Sequence, residues 1–300
     1  MISTPRSLTN LLLVCSICLF ATSTSGIAAD DQAVAILRGV EKTLEEYHSF
    51  HVEFTISYDD KHIMSPGKVH EQMVKADFSR DRILMESLFL INGEKTFSLK
   101  NDNAVYDYKV GGNDVRLFDS NETQWATIYD PRVLMLTDMP SLRSSIPGSL
   151  SMAGDGNFRA EKKKIDELTV WVVFCDEQTE NGMNHYEFWI EEPSFRLHKS
   201  SYSSKFQDIS IENVYDESTA GPFPSTIKIK RLEDGKAVFD RTVTIKKLNS
   251  TDSFTDDHYS LQSFDLPVNT TVTDYRINTI SGYWDGEKLT EEPVSEKVTP

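Results

Sequence analysis

Phe50, Val52, Phe54, Ile56 and Tyr58 alternate with His51, Glu53, Thr55 and Ser57. This two-residue period constrains the chain more than any other feature. Side chains two apart share one face of a strand, so such a run buries one face and wets the other. Just before it the period is that of a helix. Ala33, Ile36, Leu37, Val40, Leu44 and Tyr47 fall on one helical face, and Glu41, Lys42, Glu45 and Glu46 cover the other. Asp31 is placed to cap a helix from about Gln32 to Tyr47. Gly39 weakens that helix by about 1 kcal/mol relative to alanine, so packing has to hold it.

Turn chemistry then punctuates a series of short strands. Ser65-Pro66-Gly67, Asn92-Gly93 and Asn101-Asp102-Asn103 separate strand candidates at Lys68–Ala76, Arg82–Leu90, Thr96–Leu99 and Ala104–Val110. The alternation stops from about Thr123 to Leu150. Trp125, Ile128, Leu134, Met135, Met139 and Leu142 make this segment apolar, and Pro131, Pro140 and Pro147 break it. Asp130-Pro131 reads as a cap followed by proline at the first helical position, so one or two short helices are expected here. Strands resume near Asn157. Leu168–Cys175 is apolar on both faces, Tyr186, Phe188 and Ile190 alternate, and Asp234-Gly235 joins the last two strands as a hairpin. Residues after Ser250 are polar, with an apolar patch at Leu261–Pro267. The order is helix, about five strands, a helical insertion, about six strands and a tail, and short turns favour antiparallel pairing.

The first residues read as an export leader. Arg6 precedes the apolar run Leu11–Ala21, and small residues follow up to Ala29. The run is shorter than the roughly 20 residues a bilayer core requires. A Sec-type signal peptide over 1–29, cleaved near Ala28 or Ala29, is therefore expected, and with it a periplasmic or secreted location with peripheral or no membrane contact. Cys15 and Cys18 would leave with the leader, so Cys175 would stand alone. A formal charge of −16 repels phosphate backbones, which argues against nucleic acid as a partner.

Catalytic and metal signatures are missing from the sequence. There is no His-Glu-x-x-His, no Cys-x-x-Cys, no Gly-x-Ser-x-Gly elbow and no phosphate-cradling glycine loop. No catalytic residue, metal ligand or cofactor is expected. The seven histidines, His70 among them, read as surface or strand-edge residues. Arg241 interrupts the otherwise apolar row Phe239, Val243, Ile245. It is read either as a strand-end arginine snorkelling to water or as a concave-face group pairing with a lid carboxylate or a ligand head.

Several stretches together carry a resemblance. Leu44-Glu45-Glu46-Tyr47-His48-Ser49-Phe50 leads into Val52-Glu53-Phe54-Thr55. Ile91-Asn92-Gly93-Glu94-Lys95-Thr96-Phe97 precedes Val105-Tyr106-Asp107-Tyr108. Tyr186–Pro193 is followed by Phe195-Arg196-Leu197, and Phe264–Asp274 closes the series. In order and spacing this resembles the periplasmic outer-membrane lipoprotein carrier (LolA-like) superfamily. The resemblance implies an α+β fold: a curved antiparallel sheet or incomplete β-barrel of about eleven strands, with an N-terminal helix and a helical lid. The expected domain spans 30–276, with the lid at about 123–150 and a partly disordered tail at 277–300. The resemblance also implies binding of acyl chains or other hydrophobic ligands, such as a lipid or a lipoprotein acyl chain, without catalysis. The candidate ligand-binding residues of lid and concave face are Phe54, Ile56, Trp125, Ile128, Leu134, Met135, Met139, Leu142 and Arg241. An envelope protein is a further expected partner. A lipid-responsive sensor or protein-interaction scaffold is the alternative, and a hydrolase the remote one.

Overall fold

A computed structural model describes residues 31–60, 70–79, 82–119, 129–135, 157–165, 167–216, 221–251 and 254–294. The amphipathic stretch before Phe50 forms α1 (Asp31–Glu45). A meander follows: β1 (Ser49–Asp60), β2 (His70–Ser79), β3 (Arg82–Phe89), β4 (Glu94–Lys100), β5 (Ala104–Lys109) and β6 (Asp114–Asp119). One helical turn, α2 (Pro131–Leu134), precedes a second meander. Its strands are β7 (Asn157–Ile165), β8 (Leu168–Thr179), β9 (Gly182–Glu191), β10 (Leu197–Ser203), β11 (Gln207–Val214), β12 (Thr226–Glu233) and β13 (Lys236–Ser250). Two 3-10 turns, Asp256–Tyr259 and Leu261–Phe264, lead to β14 (Thr271–Asp274), β15 (Thr279–Trp284) and β16 (Leu289–Thr290).

All sixteen strands join one sheet, in the order β16-β15-β14-β6-β5-β4-β3-β2-β1-β13-β12-β11-β10-β9-β8-β7. Pairing is antiparallel except where β14 runs parallel to β6, Thr271 beside Asp114. This corrects the expected fold class. The described residues form one large open sheet of sixteen strands with two short α-helices, not an eleven-stranded incomplete barrel under a helical lid. The undercount has a physical origin. β6 is a short charged strand behind the local turn Gly111-Gly112, which the expected series of strands did not use, and β14 is polar and joins the sheet through a partner distant in sequence, so no local turn announces it. Of the expected lid at 123–150, only 129–135 is described, and it holds a single turn of helix.

Local chemistry sets the hairpins. Gly93 takes φ +68 and its N–H donates to the Phe89 carbonyl at 2.9 Å, closing β3 onto β4. Asp234 (φ +49) and Gly235 (φ +73) are both left-handed between β12 and β13, the geometry a two-residue hairpin requires.

Two cores lie on opposite faces of the sheet. The first fills the face that carries both helices, the inner face. It joins Ala33, Ile36, Leu37, Val40 and Leu44 of α1 to apolar residues of β1–β3 and β7–β13, and α1 lies against β7 and β8. The second lies on the outer face of β4–β6, β14 and β15, where Leu99, Tyr108, Val115, Leu117, Val272 and Trp284 enclose Phe264 and Leu266. The apolar patch after Ser250 is thus the cover of a second core.

Gly39 shows how the helix is held. Phe195, itself at φ +55, lays its ring against Gly39, and a Cβ there would meet Cζ at 2.8 Å. Gly39→Ala is expected to lower stability. The helix gains about 1 kcal/mol from alanine, but overpacking costs about 1–3 kcal/mol, and the trapped ring places this site at the high end. Urea denaturation checks the sign; a stabilised variant would show that Phe195 moves aside without penalty.

Candidate ligand-binding face

The register of β1 builds the inner face row by row. Phe50 faces Phe78, Val52 faces Ala76, Phe54 lies between Val74 and Ile245, and Ile56 between Gln72 and Val243. Tyr58 lies between His70 and Arg241. Beyond β13 the last row continues through Ile229, Ile211, Ser200, Phe188, Val173 and Ala160 to the far edge of the sheet. The result is a broad, largely apolar wall across nine strands, β2 to β7 in sheet order.

Segment 129–135 lies on this wall. Asp130 caps α2, its Oδ1 accepting from the Arg132 backbone N–H at 2.8 Å. The Arg132 guanidinium returns to the same carboxylate, with Nη2 2.6 Å from Oδ2. Its other edge donates to the Tyr47 carbonyl at 3.3 Å. The pair is buried, Asp130 at 5 % and Arg132 at 3 % exposure. The guanidinium lies 5.3 Å from the Phe50 ring centroid and 5.9 Å from that of Phe78. Farther along, the Met135 carbonyl accepts from Ser200 Oγ at 3.3 Å and from Asn213 Nδ2 at 3.2 Å. Polar contacts therefore pin both ends of the segment across an apolar surface.

Phe54, Ile56, Leu134 and Met135 come together in the first core, each buried. Arg241 stands on the inner face between Tyr58 and Ile229, its guanidinium 4.7 Å from the Phe239 ring. Trp125, Ile128, Met139 and Leu142 lie outside the described residues. Sequence reasoning missed three groups. Arg132 was hidden in an apolar run, although Asp130-Pro131 marked its cap. His70 and Gln72 sit on the buried side of β2, at 5 % and 3 % exposure, which corrects the reading of His70 as a surface or strand-edge residue. The strand alternation with Val74 and Ala76 was the available signal. Gln72 donates to Ser87 Oγ, and its amide lies 3.5 Å from the Tyr129 hydroxyl.

The outer face of β1 and β2 is charged. Asp77 sits between two imidazoles, His51 Nδ1 at 2.6 Å and His258 Nε2 at 2.9 Å. Hydrogen bonds from His51 and Lys247 hold the Glu53 carboxyl below the usual carboxylate range. Cys175 lies on the inner face, and burial pushes its thiol up to about 12, with Glu177 and Asp176 adding to the shift. Since only the thiolate reacts, the native protein is expected to resist a disulfide reagent near pH 8 and to react fully once denatured. Rapid labelling of the folded protein would contradict this burial. Among the described residues no three His, Cys, Asp or Glu side chains converge on a metal site, and no described helix is long and apolar enough to cross a membrane.

No family model matches the sequence, and no curated protein matches it. Solved structures do. A LolA superfamily protein from Nitrosomonas europaea is similar with a TM-score of 0.44 and 12 % identity, over 77 % of this chain and 98 % of that one. A DUF1329 family protein from Desulfovibrio piger has a TM-score of 0.45 and 10 % identity, over 78 % and 99 %. The first carries the family description that the sequence resembles.

Proposed function

We propose that this chain binds acyl chains or other apolar ligands on its inner face, without transforming them. One observation carries the reading: segment 129–135 lies across the apolar wall as a single helical turn, with Leu134 and Met135 buried against it and polar contacts at its two ends. A single helical turn has almost no stability of its own, so little intrinsic structure is lost when it shifts. A ligand that takes its place on the wall gains about 0.8 kcal/mol per buried methylene. The same proposal places the protein outside the cytoplasm, supported by the leader-like run Leu11–Ala21.

Fluorescence of N-phenyl-1-naphthylamine, a neutral apolar probe, tests this directly. The protein is expected to enhance it saturably, and fatty acids are expected to displace it with affinity rising steadily from eight to sixteen carbons. Absence of enhancement, together with no lipid retained in native mass spectrometry, would remove the proposal.

A further inference from the structure

We propose that the inner face includes a head-group subsite centred on His70, which takes the anionic head of a single-chain amphiphile. This deepens the ligand reading above and rests on it.

The observation is an unpartnered imidazole. Strict alternation along β2 puts His70 on the same side as Gln72, Val74, Ala76 and Phe78. Its side chain is buried, and among the described residues neither Nδ1 nor Nε2 has a hydrogen-bond partner. An imidazole always presents at least one N–H donor. Buried polar groups are nearly always paired, and an orphan calls for a specific reason. A ligand atom that accepts from this ring supplies one.

The surroundings select the sign and shape of that ligand. Tyr58 is the cross-strand neighbour of His70, with ring centroids 5.7 Å apart. Arg241 is the next residue in the same row. Arg231 is one row further, opposite Phe239, with its own acidic partner Glu233 at 2.7 Å. Asp59 and Asp240 face each other across β1 and β13, in the alternate register that points to the outer face. Arg241, in the row of His70, disfavours a cationic head here. A chain carrying −16 overall thus places one guanidinium group, that of Arg241, in the same row as this imidazole, one strand beyond Tyr58. The row turns apolar at Ile229 and continues so to Ile211, and Ile56 and Val243 lie alongside. Those neighbours suit a hydrocarbon tail, which a free inorganic anion lacks.

Displacement of N-phenyl-1-naphthylamine near pH 8 tests the subsite with laurate, with dodecanol of the same chain length and a neutral head, and with acetate as the head alone. Hydrogen bonds to charged groups are the stronger kind, so His70→Leu is expected to weaken laurate about tenfold while changing dodecanol less than about twofold. His70→Gln, which keeps a donor, is expected to retain most of the laurate affinity, which separates lost hydrogen bonding from lost shape. Acetate is expected to displace nothing. Equal weakening of laurate and dodecanol, or no weakening of either, would overturn the subsite while leaving the apolar reading in place. Displacement by acetate alone would overturn it in favour of a free-anion site. Failure of every amphiphile to displace the probe would instead bring down the ligand reading itself.

Discussion

Arg132→Met is expected to destabilise the protein by about 3–5 kcal/mol, the cost typical of breaking a buried ion pair from one side. The carboxylate of Asp130 would keep its cap bond to the backbone but lose the guanidinium that neutralises it inside the first core. The double variant Asp130→Asn with Arg132→Met retains a capping oxygen and leaves no buried charge, so it is expected to recover most of the loss. Urea unfolding of the two variants checks both halves. A single variant within about 1 kcal/mol of the parent, the typical worth of an exposed pair, would show that the pair is solvated and does not anchor 129–135.

Phe50→Ala is expected to cost a similar 3–5 kcal/mol, the range for removing a fully buried aromatic ring. Phe50 is fully buried. Its ring stacks on Phe78 at 5.0 Å, tilts against Phe223 at 5.5 Å and lies beneath Arg132. The loss should appear as a lower denaturation midpoint with an unchanged slope. Because Phe50 and Arg132 touch, the two changes should not add: the double variant is expected to lose less than the sum by at least about 0.5 kcal/mol. Strict additivity would mean that the guanidinium does not rest on the ring.

What could be read from sequence was what local rules decide. The β1 alternation, the helix before it and the Asn92-Gly93 and Asp234-Gly235 turns are each set by residues within a few positions of one another, and each forms where expected. The sheet's extent was not legible, because β6 and β14 meet across 157 residues and no turn signal spans that distance. The switch of the core from inner to outer face was hidden for the same reason. Leu99, Tyr108 and Val115 look like ordinary strand residues until the segment after Ser250 folds over them. At the candidate site, Phe54 and Ile56 followed from period two. His70 obeyed the same period, and its chemistry, not its spacing, suggested the surface. Arg132 could be placed only once α2 was seen against Phe50 and Phe78.

The strand order carries one more consequence, for assembly. β1–β6 form a continuous block, yet its two flanks are closed by β13 on one side and β14 on the other. Until residues 236–274 have emerged, both borders of that block expose unpaired backbone groups, the features that invite pairing between chains. Distant pairings of this kind slow folding. The first half of the chain must therefore wait for the last third before it can be sealed, and guarding nascent chains through that interval is a requirement that the topology places on whatever cell makes them.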